Sequence, residues 1–164
     1  MMRIINNWLN IFFILSIIAI TSALVAEFFY DLAPCKMCLK QRHPYYAIIF
    51  LIILFYFFRQ TKNIWLFVLC QIALLYGLFY AAWHVGIEQK ILPEPVSCSG
   101  ILAQTDSIQN LKQQITNQAI VNCSEITWEI AGLSAATINT FLFLFFLIFN
   151  TIFIVKYFYG TKKK

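Results

Sequence analysis

Charged residues are scarce in this chain. Only 12% of its 164 residues are Asp, Glu, Lys or Arg, roughly half the share found in soluble domains. Glycine and proline are scarce too, with five and four residues, which excludes disordered, collagen-like and flexible-linker sequences. Hydrophobic residues make up 61% of the chain, and 17 of them are phenylalanine. This composition excludes a soluble globular protein and predicts an integral membrane protein.

Four apolar stretches are long enough to cross a bilayer whose hydrocarbon core is about 30 Å thick. They cover residues 8–27, 39–58, 64–85 and 131–155, and they leave outer loops at 28–38 and 86–130. The second stretch must begin before Pro44, because the chain from Pro44 to Arg59 is too short to span, so Pro44 kinks this helix without ending it. We therefore predict an all-α protein with a single membrane domain over residues 1–164, built as an antiparallel bundle of four transmembrane helices with one long outer loop.

The distribution of charge predicts the orientation of these helices. If both termini are cytoplasmic, the inner segments hold seven bases and no acid, while all seven acids lie outside. The inner bases are Arg3, Arg59, Lys62, Lys156, Lys162, Lys163 and Lys164. The bases form no basic face, so the net charge of +5 does not indicate a nucleic-acid partner. A signal peptide cleaved near residues 21–23 is an alternative, but the apolar run continues to Tyr30, which favours an uncleaved first helix.

Four of the five cysteines fall in the predicted outer segments. These are Cys35, Cys38, Cys98 and Cys123, and cysteines in an oxidising compartment tend to pair, so we expect two disulfides. The fifth, Cys70, lies about 21 Å along its helix from the outer rim, too deep to join the others. We interpret Cys70 as a small buried core residue.

The closely spaced pair Cys35-Lys36-Met37-Cys38 has the pattern of a reactive centre. Pro34 precedes it, as at a helix start, where the helix dipole favours a thiolate. On a continuing helix, Arg42 falls on the same face as both sulfur atoms, and its charge stabilises a thiolate. The alternative is half of a zinc site completed by Cys98 and Cys123, but those two are far apart in sequence, whereas zinc ligands usually come in closely spaced pairs.

His84 ends the third span at the outer rim. A neutral, partly buried histidine is the ordinary interpretation, and a contact with a cofactor is the functional one. We count Arg42, Cys38 and His84 as the candidate cofactor-binding residues, and we predict no metal site.

Three stretches carry motifs in a fixed order: Pro34-Cys35-Lys36-Met37-Cys38 followed by Arg42, then Trp83-His84 with Cys98 downstream, then Cys123 followed by Trp128 and Gly132-Leu133. With them the chain resembles the DsbB family of disulfide bond formation proteins over nearly its whole length. It departs from the family at two places. The best known members have an apolar dipeptide where this chain has Lys36-Met37, and an acid is common where this chain has Gln41.

The resemblance implies a protein-dithiol:quinone oxidoreductase of the bacterial inner membrane, with its cysteine loops in the periplasm. The catalytic residues would be Cys35, Cys38, Cys98 and Cys123. A reduced thiol oxidase of the DsbA type would attack the Cys98–Cys123 disulfide at Cys98, and Cys123 would exchange with Cys35. Cys38 would pass the electrons to ubiquinone or menaquinone held near Arg42.

Two other functions fit the same architecture. An enzyme of the vitamin K epoxide reductase type also has four helices and a CxxC at the membrane edge, but its loop cysteines precede the CxxC, and here they follow it. A structural scaffold whose outer loop is stapled by disulfides is the non-enzymatic alternative. Structural disulfides resist mild dithiols, whereas relay disulfides exchange rapidly.

Overall fold

The computed structural model describes residues 2–95, 98, 122–126, 128–130 and 132–161. Over these residues the protein is all-helical apart from one very small hairpin. The four helices are α1 (Met2–Phe29), α2 (Lys36–Phe57), α3 (Ile64–Glu88) and α4 (Ala135–Thr161). The hairpin consists of β1 (Glu129–Ile130) and β2 (Leu133–Ser134), which pair antiparallel.

Side-chain caps fix where the two central helices begin. The Cys35 sulfur accepts a hydrogen bond from the Cys38 backbone N–H at the start of α2, and the Asn63 side chain accepts one from Trp65 at the start of α3. Such caps satisfy backbone N–H groups that have no partner within the helix. Pro44 lies inside α2, which continues past it as predicted. Arg59, in the left-handed region with φ 55°, turns the chain between the two helices.

The helices pack through apolar side chains in a shared core. Phe12 of α1, Ile48 of α2 and Leu74 of α3 are fully buried there with Phe143 and Phe146 of α4. A Cβ added at Gly77 would lie 2.7 Å from the Phe143 ring and 2.9 Å from Pro44. Gly77 therefore allows α2, α3 and α4 to approach closely at the middle of the bundle.

Three of the four helices are long and apolar enough to cross a membrane: Asn7–Phe29, Ile64–Glu88 and Ala135–Tyr159. Many large apolar side chains on them point outward, as lipid-facing residues do; examples are Ile18, Ile72 and Phe141. Helix α2 is not among the three, because the polar run from Lys40 to His43 interrupts its apolar sequence.

The helix bounds differ from the predicted spans at the ends next to the cysteine-containing segments. Helix α2 begins at Lys36, directly after Cys35, and α3 continues to Glu88. Helix α4 begins at Ala135, four residues after the predicted start at Ala131, because the strands β1 and β2 precede it. Gly132, with φ 78°, makes the turn of that hairpin, a conformation that glycine adopts without strain. Most of the predicted outer loop 86–130 lies outside the described residues.

Candidate active site

The CxxC pair lies at the first turn of α2. Cys35 is the N-cap, and its sulfur accepts a hydrogen bond from the Cys38 backbone N–H at 3.2 Å. The two sulfur atoms are 2.8 Å apart and form a hydrogen bond between free cysteines, so the pair is in its dithiol state. Of the two disulfides expected among the outer cysteines, the structure thus contains one, described below. A CxxC pair can be a dithiol or a disulfide, and the structure has the dithiol.

The two thiols differ in acidity. The hydrogen bond with Cys38 lowers the pKa of Cys35 to about 5, and the hydrogen bond with His84 acts in the same direction, although burial opposes the shift. The pKa of Cys38 is raised by the same hydrogen bond, by burial and by the negative charge on Cys35. In the thiolate state of Cys35, the Cys38 thiol is therefore the donor between them. Cys35 carries the charge of the reduced pair.

Cys98 and Cys123 form a disulfide with their Cα atoms 5.4 Å apart. Both cysteines are buried, at 2% and 0% exposure. They pack in one cluster with Cys35, Met37 and Ile87, and the partly buried Cys38 lies against that cluster. The structure therefore brings together all four cysteines named from the sequence. In this structure Cys98 and Cys123 are bonded to each other, whereas the alternative zinc site would need both as thiolate ligands.

His84 of α3 is the buried neighbour of the CxxC pair. Its Nε2 lies 3.6 Å from the Cys35 sulfur and 3.9 Å from the Glu88 carboxylate, one turn along α3. Its Nδ1 lies 2.9 Å from the side-chain amide nitrogen of Gln41. The sequence named His84 as a cofactor-binding residue, and that role stays a prediction. The contacts of His84 are with the Cys35 sulfur and with polar side chains.

Gln41 continues into a chain of hydrogen bonds that sequence reasoning missed. Its carbonyl oxygen accepts a hydrogen bond of 2.7 Å from the Asn139 amide of α4, and Asn139 in turn accepts one from the Tyr45 hydroxyl. Gln41 and Tyr45 are 5% and 3% exposed. The available signal in the sequence was the run of polar residues from Lys40 to His43, early in α2.

Arg42 faces helix α1. Its guanidinium pairs with the Glu27 carboxylate at 2.5 Å and donates to the Ala23 carbonyl at 3.3 Å. As the sequence predicted, Arg42 lies one helical turn from Cys38 on α2. Its ion pair with Glu27 was not predicted from the sequence. The described contacts of the Cys35 sulfur are with Cys38 and His84 and do not include Arg42.

Three side chains of the site are close enough to share a metal ion. The ligand atoms of Cys35, Cys38 and His84 lie within 4.8 Å of one another.

Cys70 is 1% exposed, in the main apolar core and not in the CxxC cluster, so the prediction that it is a buried core residue is confirmed. His43 is exposed on α2 and lines a groove with Pro44 and Tyr76.

Comparison with known proteins gives two matches. The chain matches the family described as disulfide bond formation protein DsbB over residues 6–153. It is also similar to an uncharacterized protein of Rickettsia prowazekii, strain Madrid E, with 31% identity over 137 residues, which covers 82% of this chain and 79% of that protein. No solved structure matches.

Proposed function

Because this chain belongs to the DsbB family of disulfide bond formation proteins, we propose that it reoxidises a reduced periplasmic thiol oxidase of the DsbA type and passes the electrons to a membrane quinone. Family membership and three membrane-competent helices make it a membrane protein that forms disulfides. The partner, the quinone and the order of electron transfer are the proposed part. The observation that carries them is the single buried cluster in which Cys35 meets the Cys98–Cys123 disulfide.

The first two exchanges move electrons inward. A thiolate of the reduced partner attacks the Cys98 sulfur, which breaks the Cys98–Cys123 bond and leaves a thiolate on Cys123. Cys123 then attacks Cys35 of an oxidised CxxC pair and releases Cys38 as a thiolate. Packing of Cys35 and Cys123 in one cluster supports this second step, since exchange requires direct contact between sulfur atoms.

The later exchanges restore the loop disulfide. The partner's second thiol displaces Cys98 and leaves oxidised, and Cys98 then attacks Cys123. That step re-forms the Cys98–Cys123 bond and releases Cys35 as a thiolate. The result is an intact loop disulfide beside a reduced CxxC pair, which is the combination found in this structure.

A quinone, ubiquinone or menaquinone, fits the residues near Cys38. Arg42 lies one turn along α2 from Cys38, and two of its N–H groups are engaged by Glu27 and Ala23. Since a guanidinium has five N–H donors, Arg42 keeps donors for a quinone oxygen. A bound quinone supplies an acceptor for two electrons and two protons. We propose that Arg42 and Cys38 hold it, with His84 acting on the thiol side of the pair.

The membrane arrangement is part of the same proposal. We propose that α2 crosses the bilayer with the other three helices as an antiparallel bundle forming a single domain. Its polar residues lie in the first two turns, and the apolar run from Ala47 to Phe57 follows. Both termini are cytoplasmic and the cysteine segments periplasmic, at the inner membrane of a bacterium. The excess of basic residues at the inner ends supports this orientation.

The test is oxidation of a reduced DsbA-type protein by the purified protein in detergent, with and without ubiquinone. We expect turnover that depends on quinone, is lost in Cys38→Ser and is retained in Cys70→Ser, the matched control in the apolar core. If no electrons pass from the reduced DsbA-type protein to ubiquinone, the proposal is wrong and the stapled scaffold replaces it.

A further inference from the structure

Three polar side chains form a line behind His84. Tyr45 and Gln41 come from α2 and Asn139 from α4, and the line ends at His84 of α3. Tyr45, Gln41 and His84 are each at most 5% exposed. Polar groups this deeply buried are costly unless hydrogen-bonded, and here each group satisfies the next.

The direction of these hydrogen bonds determines which ring nitrogen of His84 accepts a hydrogen bond and which one carries the proton. The Tyr45 hydroxyl donates to the Asn139 carbonyl, and the Asn139 amide donates to the Gln41 carbonyl. The Gln41 amide nitrogen, which can only donate, is left facing His84 Nδ1 at 2.9 Å. Nδ1 must therefore be the acceptor.

A neutral imidazole carries one proton, so His84 holds it on Nε2. That nitrogen points at the Cys35 sulfur, 3.6 Å away. The other groups facing His84 are the Glu88 carboxylate of the same helix, the Cys38 thiol of α2 and the backbone at Cys123. Glu88 is itself held by a 2.5 Å hydrogen bond from the Ser134 hydroxyl.

We propose that Tyr45, Asn139 and Gln41 are positioning residues that hold His84 as a neutral Nε2–H donor to the Cys35 sulfur, and that this makes Cys35 a good leaving group. The inference rests on the proposed function, in which Cys98 attacks Cys123 and the bond from Cys123 to Cys35 breaks. The electron pair of that bond stays on Cys35, whose thiolate accepts the hydrogen bond from His84. No proton is transferred in this step.

The first test reads the histidine tautomer directly. The reduced protein is labelled with ¹⁵N histidine, and the His43→Gln variant removes the other of the two histidines, which identifies the His84 signals. We expect a neutral ring protonated on Nε2. A ring protonated on Nδ1 would overturn the proposal, since Gln41 would then be an acceptor and Nε2 a base.

The second test uses two substitutions of Gln41 that should act in opposite directions. Gln41→Met removes the donor to Nδ1 at similar size, so the tautomer is no longer fixed, and we expect the thiolate titration of Cys35 to move up by about one pH unit. Gln41→Glu places a carboxylate there, which draws a second proton onto Nδ1, and we expect the titration to move down. If Gln41 only maintained the packing, both substitutions would shift the thiolate titration of Cys35 in the same direction.

Gln71→Met is the matched control. Gln71 also sits in a hydrogen-bonded set, with Asn150 and Thr151, at the other end of α3. We expect it to leave the Cys35 titration unchanged. Equal shifts of the Cys35 titration in both Gln41 variants, or no shift in either, contradict the proposal. If Gln41→Met does not fold, the titration of Gln41→Glu and the tautomer of His84 still test it. Both measurements use reduced protein without partner or quinone, so failure of the proposed electron transfer is recognised separately by the turnover assay.

Discussion

At the scale of single residues, two adjacent positions of α2 contact different helices. Gln41 points to α3 and His84, whereas Arg42 points to α1 and Glu27. Neighbours on a helix are rotated by about 100° from each other, so one turn of α2 serves both sides. The thiol chemistry and the proposed quinone contact thus depend on different side chains and can be tested independently.

Replacing Arg42 by Ala tests the quinone side. We expect the quinone KM to rise about tenfold, equivalent to about 1.4 kcal/mol, because a charge-assisted donor is lost, while the Cys98–Cys123 disulfide stays intact. Steady-state kinetics with varied ubiquinone measures this. Lys62→Ala, an exposed base between α2 and α3, is the control. Unchanged KM in Arg42→Ala would remove this residue from the quinone site.

The acidity of Cys35 predicts a pH dependence. Because its pKa is lowered to about 5, the reduced protein should carry one thiolate from alkaline pH down to that value and lose it below. Ultraviolet absorbance of the thiolate in reduced protein measures the midpoint, and Cys35→Ser should abolish the step. A midpoint near that of an ordinary cysteine, about 8.5, would show that the hydrogen bonds to this sulfur are not effective.

At the scale of elements, close helix contacts depend on one glycine. Gly77→Ala should lower the free energy of unfolding by about 1–3 kcal/mol, since the added Cβ meets the buried Phe143 ring and Pro44. At Gly86 an added Cβ meets only the Leu92 side chain, which is 43% exposed and free to move.

Gly86→Ala is therefore the control, and we expect it to be neutral or slightly stabilising, because alanine favours helix. Thermal unfolding in detergent compares the two variants. Equal loss of stability in both would mean that the contact at Gly77 is not specific.

The helices themselves were largely predictable from the sequence. Long apolar runs indicated them. Helix α2 begins at Lys36, before the predicted start at residue 39, and the later start of α4, at Ala135, reflects a hairpin too short to leave a periodic signal. The cysteine pattern likewise indicated the four cysteines that the structure brings together. The sequence could not show that Asn139 would meet Gln41, or Glu27 would meet Arg42, because such pairings between helices depend on rotation and depth, which apolar patterns leave open.

At the scale of the whole molecule, the buried loop disulfide should be hard to reach for small reagents. We expect a small dithiol to reduce Cys98–Cys123 in the folded protein about a hundredfold more slowly than in the denatured chain, as for a local opening that costs about 3 kcal/mol. Timed alkylation of the released thiols measures the rate. Equal rates in the two states would show that burial gives no protection.

The burial of this disulfide also affects which thiols of the cell can be oxidised by it. A disulfide connected to the respiratory chain and open to solvent would drain reducing power from every small thiol that diffused past it. With both sulfur atoms buried, the proposed relay would accept electrons only from a folded partner that binds at this site, and small thiols would stay reduced.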